Sequence, residues 1–209
     1  MIEYPSIINS SKAPREHCVA FDKLDGSNIR AKWTQKHGFS LFGTRTQLID
    51  EKTAFWGEAV TLFKSHQAEP LDKLFRSDKA YRNEREIIVF GEFVGENSFA
   101  GHHQPEPHKI VIFDILVGHK NQSFVKPRQF LEFGSVVEIP KVIYDGNLNE
   151  EFIASVRRND FGLKEGVICK GSTTRGAYRG KIWMCKIKTQ EYLDKLKGRF
   201  GSEWEKYGE

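Results

Sequence analysis

The chain has 209 residues, with 32 Lys and Arg against 28 Asp and Glu, a formal charge of +4, and 39% hydrophobic residues. With 16 Phe, 6 Tyr and 4 Trp it is too apolar and too aromatic for a disordered chain, and it is long enough for a core that needs no disulfide or metal staple. The longest apolar run, residues 110–118, is broken by Asp114, and no apolar stretch follows a basic start, so neither a membrane span nor a secretory signal is expected. Cys18, Cys169 and Cys185 lie far apart without a Cys-x-x-Cys pair, which fits free structural thiols in a reducing cytoplasm. A charge of +4 permits an anionic partner without requiring one.

In chain order, runs rich in Val, Ile, Phe and Trp predict strands at residues 17–22, 29–34 and 39–43, with Asp25-Gly26 and His37-Gly38 as tight turns between them. Residues 53–63 place Phe55, Trp56, Ala59, Val60 and Phe63 at helical spacing, and residues 71–82 follow a similar pattern. Strands resume at 87–94 and 110–117. Between them, residues 100–108 hold two Pro and three His and read as a long surface loop. A helix is expected at 150–158, strands at 166–170 and 181–187, and a polar helix from 189 to 197 that continues past Gly198. The four tryptophans, Trp33, Trp56, Trp183 and Trp204, read as packing residues. With no internal repeat and more strands than helices, the expected class is α+β with mainly antiparallel sheets flanked by helices.

The most informative stretch is Val19-Ala-Phe-Asp-Lys23-Leu24-Asp25-Gly26-Ser-Asn28-Ile-Arg30. An apolar strand ends at a lysine, a tight turn follows, and an alternating strand resumes, so Lys23 is expected at a hairpin mouth with its stem against apolar neighbours. Partial desolvation there favours the neutral amine. At an ordinary pKa near 10.4 only about 0.1% of a lysine is neutral at pH 7.4, whereas a pKa of ~8 makes roughly a fifth of it nucleophilic. Alone, Lys-x-Asp-Gly is a weak signal. Four further elements follow in order. Gly91-Glu92-Phe93-Val94-Gly95 ends a strand; Val111-Ile112-Phe113-Asp114-Ile115 forms another; Glu165-Gly166-Val167-Ile168-Cys169-Lys170 opens a third with a carboxylate; and Lys186-Ile187-Lys188 sets two lysines on one strand face. Arg45 adds a cation. Converging cations suit a polyphosphate, a carboxylate suits a ribose or a divalent metal, and a ring suits a purine.

In this order the segments resemble the covalent nucleotidyltransferase superfamily of ATP-dependent DNA ligases, RNA ligases and mRNA capping enzymes, over residues 19–188. The residue two beyond the motif glycine is usually Arg in DNA ligases and capping enzymes and Asn in RNA ligases; here it is Asn28. The sequence is therefore most similar to ATP-dependent RNA ligases of the nick-sealing phage and trypanosome type.

The resemblance implies an adenylation-domain fold and a reaction in which Lys23 takes AMP from ATP, AMP passes to an RNA 5′-phosphate, and a 3′-hydroxyl displaces it. It further implies that Leu24 lies near the adenine, that Asp25 and Gly26 shape the turn, and that Asn28 and Arg45 contact phosphates or the RNA end. Glu92 would hold the ribose, Phe113 and Ile168 would flank the adenine, and Lys186 and Lys188 would bind the α-phosphate. Glu165 would help organise Mg²⁺ or Mn²⁺. Only 21 residues follow Lys188, too few for the OB-fold or helical module that such relatives append, so residues 1–209 are expected to be one catalytic domain acting as a monomer in a bacterial or phage-infected host cytoplasm. Two other readings stand beside this one: a different covalent nucleotidyltransferase, such as a minimal DNA ligase core or an end-adenylating enzyme, and a nucleotide- or nucleic-acid-binding module that keeps the fold without catalysis.

Overall fold

A computed structural model describes residues 1–97, 106–118, 122–173 and 180–206. Contacts gather the chain into two compact units, Met1–Pro5 with Asp25–Ile139 and Ser6–Leu24 with Pro140–Glu209. The class is α+β, each unit being built on one sheet with its helices alongside.

The strands in chain order are β1 (Ile8–Asn9), β2 (His17–Lys23), β3 (Ser27–Thr34), β4 (Gly38–Thr44), β5 (Leu48–Ile49), β6 (Glu86–Val94), β7 (Lys109–Val117), β8 (Ser123–Phe124), β9 (Val142–Asn147), β10 (Gly166–Ser172) and β11 (Ile182–Lys188). The helices are α1 (Gly57–His66), α2 (Ala68–Ser77), α3 (Pro127–Phe130), α4 (Glu150–Arg157) and α5 (Gln190–Phe200). In the first unit six strands run in the order β5-β4-β3-β6-β7-β8, every pair antiparallel. Alternation along β3 sends Ile29, Ala31 and Trp33 to one face, where Trp33 meets Phe75 of α2 edge-on at 5.4 Å. Asn28, Arg30 and Lys32 take the other face, where Phe90, Phe113 and Phe124 cluster with Tyr4.

In the second unit the order is β1-β11-β10-β2-β9, antiparallel except for β1 beside β11. Cys18 and Ala20, Val167 and Cys169, and Trp183, Cys185 and Ile187 form its core with Phe152, Ile153 and Val156 of α4. All three cysteines are free and buried. The opposite face carries Phe21 and Lys23, Ile168 and Lys170, and Lys186 and Lys188.

Several expectations change. β2 and β3 do not form a hairpin: β2 pairs with β9 and β10, β3 with β4 and β6, so Leu24-Asp25-Gly26 carries the chain from one sheet to the other. The helix expected from residue 53 begins at Gly57. Asp50 accepts from Lys52 N–H at 3.0 Å and Thr53 Oγ1 at 2.9 Å, which holds a turn, and Phe55 beyond it has φ 66° and is 61% exposed. The second helix starts at Ala68 and stops at Ser77, because Asp78 turns extended and accepts from Ala80 N–H at 2.7 Å. The final helix passes Gly198 and ends at Phe200, where Gly201 takes φ 54°. β9 had no counterpart among the expected strands. Trp33 and Trp183 are buried while Trp56 and Trp204 are half-buried, as packing residues are. Most of the expected loop at 100–108 lies outside the described residues. His108 is within them, with Nδ1 2.8 Å from Glu58 Oε2 and Nε2 2.6 Å from Glu96 O.

Candidate functional site

In the second unit, register builds the lysine face row by row. Gly166 sits between Lys23 on β2 and Lys188 on β11; one row on, Ile168 sits between Phe21 and Lys186. A Cβ at Gly166, whose φ is 156°, would lie 2.1 Å from the Ile187 carbonyl oxygen. No side chain can stand there, so the first row presents only its two lysines and the carboxylate just before the strand. That carboxylate is the focus. Glu165 Oε1 accepts from Lys23 Nζ at 2.8 Å and lies 3.3 Å from Lys188 Nζ, with the Glu165 and Lys188 side chains 4% and 6% exposed and that of Lys23 25% exposed. A buried carboxylate is tolerable only when so paired.

Burial pulls the Lys188 ammonium below the ordinary lysine range; Glu165 opposes this, and the Lys23 and Lys186 charges add to it. Lys188 also sits 4.8 Å from the ring centroid of Tyr192. Ile168 and Lys186, paired directly across β10 and β11, are both half-buried. Lys170, which sequence reasoning did not single out, is 4% exposed on the same face, its Nζ 5.4 Å over the Phe21 ring. Its position two residues after Ile168 was the available signal. Leu24, just after β2, is half-buried.

In the first unit, Asn28 on β3 and Glu92 on β6 are register partners and both half-buried. Asn28 Oδ1 is buried without a hydrogen-bond partner, which marks an acceptor awaiting a donor. Gly26 lies so close to β6 that a Cβ would stand 2.5 Å from Phe93 O and 2.8 Å from Glu92 Cγ, and Asp25 before it is 3% exposed. The crossover thus keeps a glycine where its backbone presses on the stem of Glu92. Arg45 is exposed in the turn between β4 and β5, apart from this pair in the strand order.

Phe113 is half-buried, with Tyr4 edge-on at 5.0 Å and 87° and Phe90 stacked at 6.4 Å and 27°. The Tyr4 hydroxyl donates to Asp114 Oδ2 at 2.7 Å. Burial first, then the Asp114 charge, raises Tyr4 well above the usual phenol range, so it remains a donor. Neither Tyr4 nor Asp114 stood among the expected site residues; Tyr4 lies 23 positions before Ser27, where the nearest strand of its sheet begins, and only folding brings it to Phe113. Among the described residues no three His, Cys, Asp or Glu side chains gather as a metal cage. One buried carboxylate, Glu165, suits instead a hard divalent ion that brings phosphate and water ligands with it.

A family model described as RNA ligase matches residues 16–187. No curated protein matches the chain. Among solved structures, an apo mutant of Naegleria gruberi RNA ligase is 19% identical with a TM-score of 0.69, over 95% of this chain and 58% of that one. Another mutant of the same ligase, with ATP and Mn, is 20% identical with a TM-score of 0.64, over 89% and 53%. The Naegleria ligase with PPi is 17% identical with a TM-score of 0.66, over 95% and 59%. At these identities the likeness is one of fold, and the chain spans less than two thirds of the length of those proteins.

Proposed function

The chain belongs to the RNA ligase family, and from that membership we propose that it is an ATP-dependent RNA ligase that joins 5′-phosphate and 3′-hydroxyl ends through a lysyl-AMP intermediate. The observation that carries this reading is the Lys23–Glu165–Lys188 cluster, in which one buried carboxylate oxygen serves two ammoniums. Attack needs the lone pair of Lys23 Nζ, so the 2.8 Å pair with Glu165 opens first. Lys23, its side chain 25% exposed, gives its proton to water; the amine then forms a P–N bond to the α-phosphate of ATP as the P–O bond to the departing pyrophosphate breaks. Lys188 and Lys186 receive the charge that grows on the α-phosphate oxygens, where fixed cations in a dry setting act most strongly.

AMP next passes from Lys23 to the 5′-phosphate of an RNA end, and the 3′-hydroxyl of the second end displaces it. Glu92 accepts from the ribose hydroxyls, and the unsatisfied Oδ1 of Asn28, its register partner, supports a hydroxyl-rich ligand at this position. Phe113 stacks on the adenine, Ile168 and Leu24 cover it, and Asp25 and Gly26 set the crossover. Arg45 engages phosphate at the RNA end. Glu165 would hold Mg²⁺ or Mn²⁺, which neutralises phosphate charge when bound; the Naegleria mutant described with ATP and Mn supports both ligands. Asn28 supports a nick-sealing type, and the three free buried thiols fit a reducing compartment.

End-joining tests the reading. With ATP and Mg²⁺ or Mn²⁺, 5′-phosphorylated RNA ends, single-stranded and nicked, should be sealed. A strong preference for DNA 3′-ends contradicts an RNA ligase and favours a DNA ligase core.

A further inference from the structure

The corner where β11 meets α5 holds an aromatic ring that the chemistry above does not use. Tyr192, in the first turn of α5, is 4% exposed, and its ring centroid lies 4.8 Å from Lys188 Nζ. Thr189 fixes that corner: its hydroxyl oxygen accepts from the Tyr192 N–H at 3.2 Å, and its own N–H donates to the Glu165 carbonyl at 2.9 Å. Thr189 is itself 1% exposed, so the cap is sheltered from water. One capping residue therefore ties together the end of β11, the residue just before β10 and the ring beneath the ammonium.

Glu165 divides one oxygen between Lys23 and Lys188, and the shorter contact belongs to Lys23. A carboxylate that follows Lys23 or a divalent ion leaves Lys188 less firmly held. A carboxylate also cancels the positive charge that a phosphate needs. An aromatic face holds an ammonium through its quadrupole and leaves that charge intact. We propose that Tyr192 is a positioning residue for adenylyl transfer, its ring keeping the Lys188 ammonium aimed along the lysine face when Glu165 is drawn elsewhere. The inference rests on the adenylyl transfer proposed above. It assigns the work to the ring and none to the hydroxyl.

Single-turnover formation of the protein–AMP adduct with labelled ATP separates position from folding, because its amplitude counts competent molecules and its rate reports the reacting geometry. Tyr192→Leu keeps an apolar filler without a ring face. It should slow the rate at saturating ATP about tenfold or more, with less than about a threefold change in the ATP concentration for half-maximal rate. Tyr192→Phe should restore the rate to within about threefold of wild type. A Tyr192→Leu protein that loses amplitude but keeps the wild-type rate shows a structural residue and overturns the inference, as does a Tyr192→Phe protein as slow as Tyr192→Leu. Failure of the proposed function looks different: wild type forms no adduct, or Lys23→Ala forms it equally well, and the inference falls with it.

Discussion

Glu165 balances two ammoniums on one oxygen inside a nearly dry face. Glu165→Gln keeps the shape and removes the charge, leaving Lys23 and Lys188 to repel each other where solvent screens poorly. Breaking one side of such a buried arrangement costs about 3 kcal/mol or more, so the urea midpoint should fall markedly, and adding Lys188→Met should recover part of the loss. An unchanged midpoint in the single variant shows that the charges are solvated. His108 makes a separate residue-scale case. Both ring nitrogens face acceptors, which only the doubly protonated ring can satisfy. The Glu96 carbonyl, against burial and with help from Glu58, raises its pKa above the ordinary histidine range. The folded value exceeds the unfolded one, so the stabilisation is complete below about pH 6.5 and is lost as pH rises through the folded value. Wild type should exceed His108→Gln in stability most at low pH, with the gap closing on the alkaline side; a gap that widens with pH contradicts the imidazolium.

Among the elements, β10 has little freedom at its start, because its first residue must be glycine. At φ 156° and with the Ile187 carbonyl oxygen 2.1 Å from a Cβ position, Gly166→Ala has to move the β10–β11 ladder or abandon it. A loss of about 3 kcal/mol or more is expected on denaturation, from backbone strain and the broken pairing together. An alanine variant as stable as wild type shows that β11 yields easily. The same elements show what sequence can and cannot reveal. β2, β6, β7, β10 and β11 were legible as short runs rich in Val, Ile, Phe and Trp, and Lys186 and Lys188 sharing a face followed from period two alone. The hairpin at Asp25-Gly26 was misread because a tight-turn signal also fits a crossover between sheets, and only long-range pairing decides between them. β9 escaped because Asp145, Gly146 and Asn147 read as loop, while pairing with β2 at the sheet edge tolerates them. The candidate site was legible as residue types in order. The sharing of one Glu165 oxygen, Tyr4 against Phe113 and Tyr192 under Lys188 were not, since each depends on side chains meeting after the chain has folded.

At the scale of the whole molecule, a net charge of +4 is modest for a partner of RNA. The proposed function concentrates cations where phosphate is handled, with Lys23, Lys186 and Lys188 on one face of the second unit's sheet. Three cations at most compensate part of an ATP polyphosphate, so EDTA should abolish adduct formation and Mg²⁺ or Mn²⁺ should restore it; full activity in EDTA contradicts a role for the divalent ion. The central claim is that Lys23 becomes covalently adenylylated, and peptide mapping by mass spectrometry after incubation with ATP and Mn²⁺ tests it most directly. The account requires one AMP, labile to acid, on the peptide containing Lys23, and none on Lys23→Ala protein. AMP on a different lysine, or an undiminished adduct in Lys23→Ala, contradicts it.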